Sequence, residues 1–298
     1  MILVAGSTGL LGSEICRQLT AQQKKIRALV RKTSAAEKID TLKQMGCSLT
    51  EGDFKDKASL AIACKGCDTV ITTVSSTISH QEGDNIQTVD HDGNLSLVAA
   101  AKEAGVKHFI FISGRFDMEI GLSLVTAKRA TEQAIINSGM NFSILRASFF
   151  MEVWLSPILG FNYPEHKAQV YGNGQRDVSY VSYKDVAAFA AGSVDNAVAL
   201  NSVIEVGGPE ALSQVDVVKI FEDTSGVSFE VQYVPENILK QQMDEAPDPL
   251  QRLFAGMMLM YTVGNAMEMT ASLQKIPLEL HSVRDYANTV MQKEALPV

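Results

Sequence analysis

The first twelve residues read MILVAGSTGLLG, Met1 to Gly12, and the order of residue types in them decides the fold. Ile2, Leu3, Val4 and Ala5 form an apolar run of the length of a buried strand. The run ends in Gly6, Ser7, Thr8, Gly9, Leu10, Leu11 and Gly12. Leu11, Ile15 and Leu19 then recur four apart, as on one face of a helix. Strand, glycine turn and helix start are the parts of a pyrophosphate site. The glycines let the backbone turn tightly and approach the phosphates, and the unpaired N–H groups at the positive end of the helix face the negative charge. The spacing is G-x-x-G-x-x-G rather than G-x-G-x-x-G, so its weight comes from the strand–turn–helix context. All seven residues of the turn are expected cofactor contacts.

A chain of 298 residues is one large domain or two small ones. Hydrophobic residues make up 46% and charged residues 20%, the balance of a globular protein with a substantial core. The net charge of −8 and the lack of a basic block argue against a nucleic-acid partner. No apolar run reaches the length of a bilayer span, so no membrane partner is expected. The first strand starts at Met1 and leaves no room for a leader ahead of it, which predicts a soluble, cytoplasmic protein. Cys64 and Cys67 form a C-x-x-C, but no second Cys or His pair follows to complete a metal site. The pair reads instead as a helix end, a Gly66 cap and a strand start, and no metal is expected.

Ile26–Val30 is the second strand and runs into Arg31, Lys32, Thr33 and Ser34. An acidic residue here would bind the ribose 2′-hydroxyl of NAD, whereas an Arg accommodates the 2′-phosphate of NADP. Arg31 and Lys32 hold the position, with no carboxylate before Glu37, so NADP(H) is expected over NAD(H). A solvated basic turn is the plain alternative. Residues 35–45 read as a helix, 47–51 as a third strand, and Asp56 as the N-cap of the helix that follows. Asp53 and Phe54 fall at the end of strand three, where an adenine would lie; Phe54 is equally suited to the core. Residues 68–74 form strand four, and Val74, Ser75 and Ser76 at its end suit a ribose or phosphate. Residues 78–85 read as a polar loop at the substrate entrance, 85–104 as one long helix, and 107–114 as strand five. Strands alternating with helices in this way are parallel.

Four segments then carry a resemblance: GSTGLLG, GDFKDKASL, VDHDGNLSLVAAAKEAGVKHFIFISG and TAKRATEQAIINSGMNFSILRASFFME. In that order they resemble the NmrA-like branch of the atypical short-chain dehydrogenases/reductases, over roughly residues 1–210. That branch includes quinone reductases, triphenylmethane-dye reductases, isoflavone- and phenylcoumaran-reductase relatives, and redox-sensing regulators without demonstrated turnover. The resemblance implies an α/β fold, a Rossmann-type doubly wound parallel sheet with a smaller, mostly helical C-terminal lobe. Residues 1–150 would form the NAD(P)-binding domain, completed by about 177–208; 151–176 and 209–298 would form the substrate lobe.

The resemblance also implies a catalytic set: a Ser ending strand five, a Tyr, and a Lys four residues after the Tyr. Ser113 and Lys128 match, but Leu124 stands at the Tyr position, and the helix from Leu122 to Ser138 holds no tyrosine. The usual acid for a reduced carbonyl is therefore missing. Lys128 remains as a catalytic residue and a contact of the nicotinamide ribose, and Ser113 as a catalytic residue and cofactor contact. The plain alternatives are a surface Lys128 facing Glu132 one turn on, and a Ser113 that only caps its strand. By the same resemblance, the segment after strand six packs beside the nicotinamide, with Phe149 and Phe150 as walls or as core.

Residues 154–171 break the pattern with Pro157, Gly160 and Pro164 and read as an insertion beside the substrate cleft. Asp185 reads as a capping residue of a helix that begins at Tyr183. From Glu210 the chain is largely helical, with a Met-rich stretch at 253–261. Tyr171, Tyr180, Tyr183, Tyr233 and Tyr261 are candidate replacement acids. The expected function is NADPH-dependent hydride transfer to a small, flat, hydrophobic acceptor, quinone-like or otherwise aromatic. Two alternatives stand: a non-catalytic NADP(H)-binding sensor or assembly protein, and a benzylic-ether or isoflavone-like reductase using Lys128. The sequence leaves the oligomeric state open, a homodimer among the options.

Overall fold

Strand β1 (Ile2–Ala5) is buried along its whole length because both of its faces are covered. In the computed structural model, which describes residues 1–77 and 81–294, Ile2 and Val4 face one core while Leu3 and Ala5 face another. The chain continues through α1 (Leu10–Ala21), β2 (Ile26–Val30), α2 (Ala36–Gln44), β3 (Ser48–Glu51), α3 (Lys57–Cys64) and β4 (Thr69–Thr72). A π-helical turn, Ile86–His91, leads into α4 (Asp92–Glu103), followed by β5 (His108–Gly114), α5 (Ser123–Ile136) and β6 (Asn141–Ala147). Then come α6 (Met151–Trp154), β7 (Phe161–Asn162), β8 (Lys167–Tyr171), α7 (Tyr183–Ser193) and β9 (Ser202–Val206). The chain closes with α8 (Gln214–Ser225), β10 (Glu230–Val234), α9 (Glu236–Asp244), α10 (Pro249–Tyr261), α11 (Thr270–Lys275) and α12 (Val283–Glu294).

Seven strands pair in parallel in the order β3-β2-β1-β4-β5-β6-β9. Apolar side chains of α1, α2 and α7 cover one face; those of α3, α4 and α5 cover the other. The fold is thus the doubly wound α/β sheet expected from the first strand. The chain reverses direction across the sheet between β1 and β4, which opens a crevice at their carboxyl ends.

The expected single helix over 85–104 is broken. Asn85 and Thr88 form a capping box, the next turn is π, and only then does α4 begin. The π-turn brings Asp90 into the interior against Ser76, and Gly93 of α4 lies where a Cβ would sit 2.8 Å from the Phe54 side chain. The first residues of the 78–85 loop, 78–80, lie outside the described residues. Asp56 does cap α3, accepting from the Ala58 and Ser59 N–H groups.

The second lobe is built on a three-stranded mixed sheet, β10-β8-β7, in which β8 runs parallel to β10 and antiparallel to β7. Phe161, Val170, Phe221 and Leu259 are among its buried core. The residues after 266 do not all belong to this lobe. Met269 and Ile276 return to the core of the large sheet, and Ser272 Oγ donates to the Glu205 carbonyl at 2.7 Å, so α11 covers the edge strand β9. The expected Asp185 cap is also corrected. Ser182 caps α7, accepting from the Lys184 N–H, while Asp185 meets the His281 N–H (2.9 Å) and imidazole Nδ1 (2.6 Å) of that returning segment. Asp185 lies in the first turn of the helix but on its buried face, where its carboxylate meets the distant segment instead of the helix's own N–H groups.

Candidate functional site

The glycine turn lies at the crevice. Gly6 has φ +82°, and a Cβ on it would lie 2.4 Å from Thr73 Oγ1 of the segment after β4. A Cβ on Gly12 would lie 2.1 Å from the Gly6 carbonyl oxygen, so α1 can start this close to β1 only without a side chain there. The Gly9 N–H closes the turn on the Gly6 carbonyl at 3.0 Å. Gly9 is the N-cap of α1 and offers no side chain to cap it, which leaves the first N–H groups of the helix for a ligand anion. On this geometry a pyrophosphate fits. Thr8 and Leu10 lie at the rim and Leu11 packs inward. Ser7 is fully buried and its hydroxyl donates to the Leu29 carbonyl at 2.7 Å, so its side chain ties the turn to β2.

After β2, Arg31 N–H donates to Ser34 Oγ and Ser34 N–H to the Arg31 carbonyl, closing a turn over residues 31–34. This turn borders a cavity of about 450 Å³ whose lining includes Arg31, Lys32, Asp53 and Lys55. Glu51, Asp56 and Glu82 also line it, so the cavity is of mixed charge. Arg31 is engaged: its Nη1 meets Asp84 Oδ2 at 2.7 Å. The sequence reading found no carboxylate near Arg31, and this one arrives from 53 positions away. Lys32 is exposed. Asp53 accepts from the Lys55 N–H at 2.8 Å. Phe54 does not line the cavity; it is buried in the core beneath α4.

At the end of β4, Val74 packs against the turn at Gly6. Ser75 Oγ reaches Thr77 Oγ1 at 3.4 Å. Ser76 is buried and donates through both N–H (2.9 Å) and Oγ (2.6 Å) to Asp90 Oδ2. The other oxygen of Asp90, Oδ1, is buried without a hydrogen-bond partner among the described residues.

Lys128 is not the surface lysine of the plain alternative. Its Nζ donates to the Ile112 carbonyl of β5 at 2.9 Å and lies 4.9 Å from the centre of the Phe111 ring. Burial pushes its ammonium pKa down, and the negative charges of Asp90 and Glu132 oppose that shift without cancelling it. Glu132 pairs elsewhere. It accepts from Arg146 Nη2 at 2.6 Å, Arg129 Nη1 at 2.6 Å and Ser113 Oγ at 2.6 Å. Burial pushes this carboxyl up, but the hydrogen bonds from Arg146 and Ser113 and the charges of Arg129 and Arg146 outweigh it and hold Glu132 below its ordinary value. Ser113 therefore does not merely cap its strand: its hydroxyl proton is directed at Glu132. Sequence spacing showed Glu132 only as a neighbour of Lys128; its role as a hub depends on β6 lying beside β5.

Leu124, at the vacant tyrosine position, is buried among Leu122 and Phe149. Phe149 meets Trp154 edge-on (centroids 4.5 Å) and Tyr261 (5.1 Å). Phe150 bridges to Val181 through its backbone. Tyr261 comes from α10, and its hydroxyl is hydrogen-bonded to that of Tyr180, both fully buried. Burial pushes both phenols up, Tyr261 well above its ordinary value. Of the other candidate acids, Tyr171 donates to the Leu159 carbonyl at 3.1 Å and is pushed up to about 12 by burial. Tyr233 is half-exposed on β10, and Tyr183 is half-buried at the start of α7. Tyr261 is thus the tyrosine of this set that touches Phe149.

Comparison with known proteins agrees with this architecture. The profile of the NmrA-like family matches residues 1–289. An isoflavone reductase homologue of Zea mays is 30% identical over 276 residues, covering 85% of this chain and 84% of its own. A photosystem II assembly factor of a Synechocystis strain is 28% identical over 245 residues, covering 80% and 72%. An NADPH-dependent quinone oxidoreductase of Escherichia coli, solved in complex with NADPH, shares the fold with a TM-score of 0.79 at 20% identity, over 97% of this chain and 99% of that one. With a family profile that spans nearly the whole sequence and a relative 30% identical over most of it, this chain belongs to the NmrA-like family.

Proposed function

We propose that this protein is an NADPH-dependent reductase of a small, flat, hydrophobic acceptor, quinone-like in character. The observation that carries this reading is a half-buried ammonium, Lys128 Nζ on the Ile112 carbonyl, at the same carboxyl edge of the sheet as the Gly6–Gly12 turn. When bound, NADPH supplies the hydride. The chain's own residues bind and orient it. The turn of residues 6–12 takes the pyrophosphate on the N-terminus of α1, and Arg31 with Lys32 takes the 2′-phosphate. Lys128 donates to the nicotinamide ribose and adds positive potential near the reacting carbon. Phe149, Trp154 and Tyr261 pack as one aromatic cluster, and on this reading a flat acceptor would lie against it. Leu124 offers no proton, which suits an acceptor that takes its proton from water after hydride transfer.

The test is a fluorescence titration of NADPH and NADH followed by a panel of quinones. NADPH binding with quinone-dependent loss of the reduced-nicotinamide signal supports the reading. Replacing Lys128→Met then lowers turnover by about a hundredfold while NADPH affinity stays within about tenfold, roughly 1.4 kcal/mol. Large residual turnover in K128M overturns the role of Lys128, both here and in a benzylic-ether or isoflavone-like reductase.

A second reading, an NADP(H)-binding sensor or assembly protein without turnover, is favoured by one observation. The tyrosine position is filled by Leu124 as packed core, so no acid can be restored there by a side-chain rotation. It is distinguished by nucleotide binding with a flat signal across every acceptor tested.

A further inference from the structure

Lys55 and Asp84 take no part in the site as assigned above, yet they sit at its charged end. The Asp84 side chain is only 1% exposed, with Arg31 Nη1 at 2.7 Å from Oδ2 and Lys55 Nζ at 2.5 Å from Oδ1. Lys55 Nζ also donates to the Glu82 carbonyl at 3.0 Å, and Thr33 Oγ1 donates to Gln81 Oε1 at 2.9 Å. Residues 81–84 therefore join two loops, 31–34 after β2 and 53–56 after β3, and Asp84 is the anion between their cations. The cations themselves remain reachable: the Arg31 and Lys55 side chains are 37% and 31% exposed, and both line the cavity. A carboxylate held by a guanidinium and an ammonium does in this place what a phosphate monoester would do, with less charge and one oxygen fewer.

We infer that Lys55 is a further cation of the 2′-phosphate subsite and that Asp84 sets its specificity, because the Asp84 carboxylate competes with the 2′-phosphate of NADPH for Arg31 and Lys55. The inference rests on the proposal that the chain binds NADP(H). NADH carries no 2′-phosphate and does not enter this competition. The ratio of the two affinities, rather than either alone, therefore reports on Asp84.

The experiment is a titration of the full chain and of two variants, Asp84→Asn and Lys55→Gln, with NADPH and with NADH, each followed by nucleotide fluorescence. D84N keeps an acceptor for Arg31 but removes the competing charge. NADPH affinity is expected to rise by about tenfold while NADH affinity stays within about twofold. K55Q is expected to lower NADPH affinity by about tenfold and to leave NADH within about twofold. A purely structural Asp84 would move both nucleotides together or neither. A D84N that binds NADPH more weakly, or shifts both nucleotides equally, overturns its role as competitor. A K55Q with an unchanged ratio overturns the subsite, and decides the matter alone if D84N shows no cooperative thermal transition. If the unaltered chain binds neither nucleotide, it is the dinucleotide reading that falls; if it binds NADPH and the ratios do not move, only this inference does.

Discussion

The two ends of the crevice solve opposite problems with charge. At the outer end, Arg31 and Lys55 stand on loops, partly exposed, and pair with an acidic residue that an incoming anion can rival. At the inner end, Glu132 is buried among two arginines and Ser113, and Lys128 is half-buried on a strand carbonyl. On the reading proposed above, the outer charges are set for exchange with a ligand. The inner charges are built into the packing, and a change there disturbs the fold as well as the chemistry. The glycine turn lies between and serves both, since it fixes how close α1 comes to β1.

The largest effect expected from breaking this arrangement is at Gly12. In Gly12→Val the side chain would have to occupy the space of the Gly6 carbonyl, 2.1 Å from an ideal Cβ. The helix start must then move away from the turn. Nucleotide affinity is expected to fall by at least about a hundredfold, roughly 2.7 kcal/mol, with overpacking adding about 1–3 kcal/mol of lost stability. A fluorescence titration beside a urea unfolding curve checks both. Unaltered binding in G12V would remove the glycine turn from the site and dissolve the comparison.

A smaller effect, of the kind characteristic of the inner end, is expected at Glu132. Glu132→Gln keeps the shape but leaves Arg129 and Arg146 without their shared counter-charge. Both arginines are about one-third exposed, so water compensates in part, and a loss of about 2 kcal/mol is expected at neutral pH. The sign of its pH dependence follows from the lowered pKa of Glu132. The stabilisation is fully present above the ordinary carboxylate value and is lost as pH falls through the lowered folded value. Denaturation midpoints of the unaltered chain and E132Q should therefore converge on acidification below about pH 4. NADPH affinity of E132Q should stay within a few-fold. A gap that persists at low pH would mean the carboxylate charge is not what holds this cluster.

The same contrast explains what was legible in the sequence. The sheet, the glycine turn and the Arg31 turn could be read because each is set by neighbours in the chain: an apolar run, a glycine spacing, a basic pair at a strand end. The π-turn before α4 could not, because residues 85–104 carry a helical pattern throughout and the break depends on Ser76 receiving Asp90. Asp84 was invisible as the partner of Arg31, since nothing local joins positions 53 apart. Lys128 and Ser113 were found by resemblance, but their partners Ile112 and Glu132 follow only from α5 packing on β5 and β6. Tyr261 was named in the sequence as one of five tyrosines, but its contact with Phe149 follows only from α10 packing on the segment after β6.

The smallest effect concerns the tyrosines that replace nothing in the usual catalytic set. Tyr180 and Tyr261 share a hydrogen bond inside the second lobe, beside the Phe149–Trp154 pair. Removing one hydroxyl leaves the other buried without its partner, a loss of about 1–2 kcal/mol for Tyr180→Phe or Tyr261→Phe alone. Removing both leaves no unpaired group, so the double variant should be destabilised by less than the sum of the two. Unfolding of all four proteins in urea completes the cycle, and strict additivity would mean the hydroxyls do not pair in solution. Turnover separates structure from chemistry. Burial holds both phenols above their ordinary pKa, which makes either a reluctant proton donor at neutral pH. Y261F is therefore expected to keep its turnover within a few-fold, the pair acting as a brace for the aromatic cluster. A hundredfold loss in Y261F at unchanged stability would instead make Tyr261 the acid that position 124 lacks, and would move catalytic chemistry from the sheet edge into the second lobe.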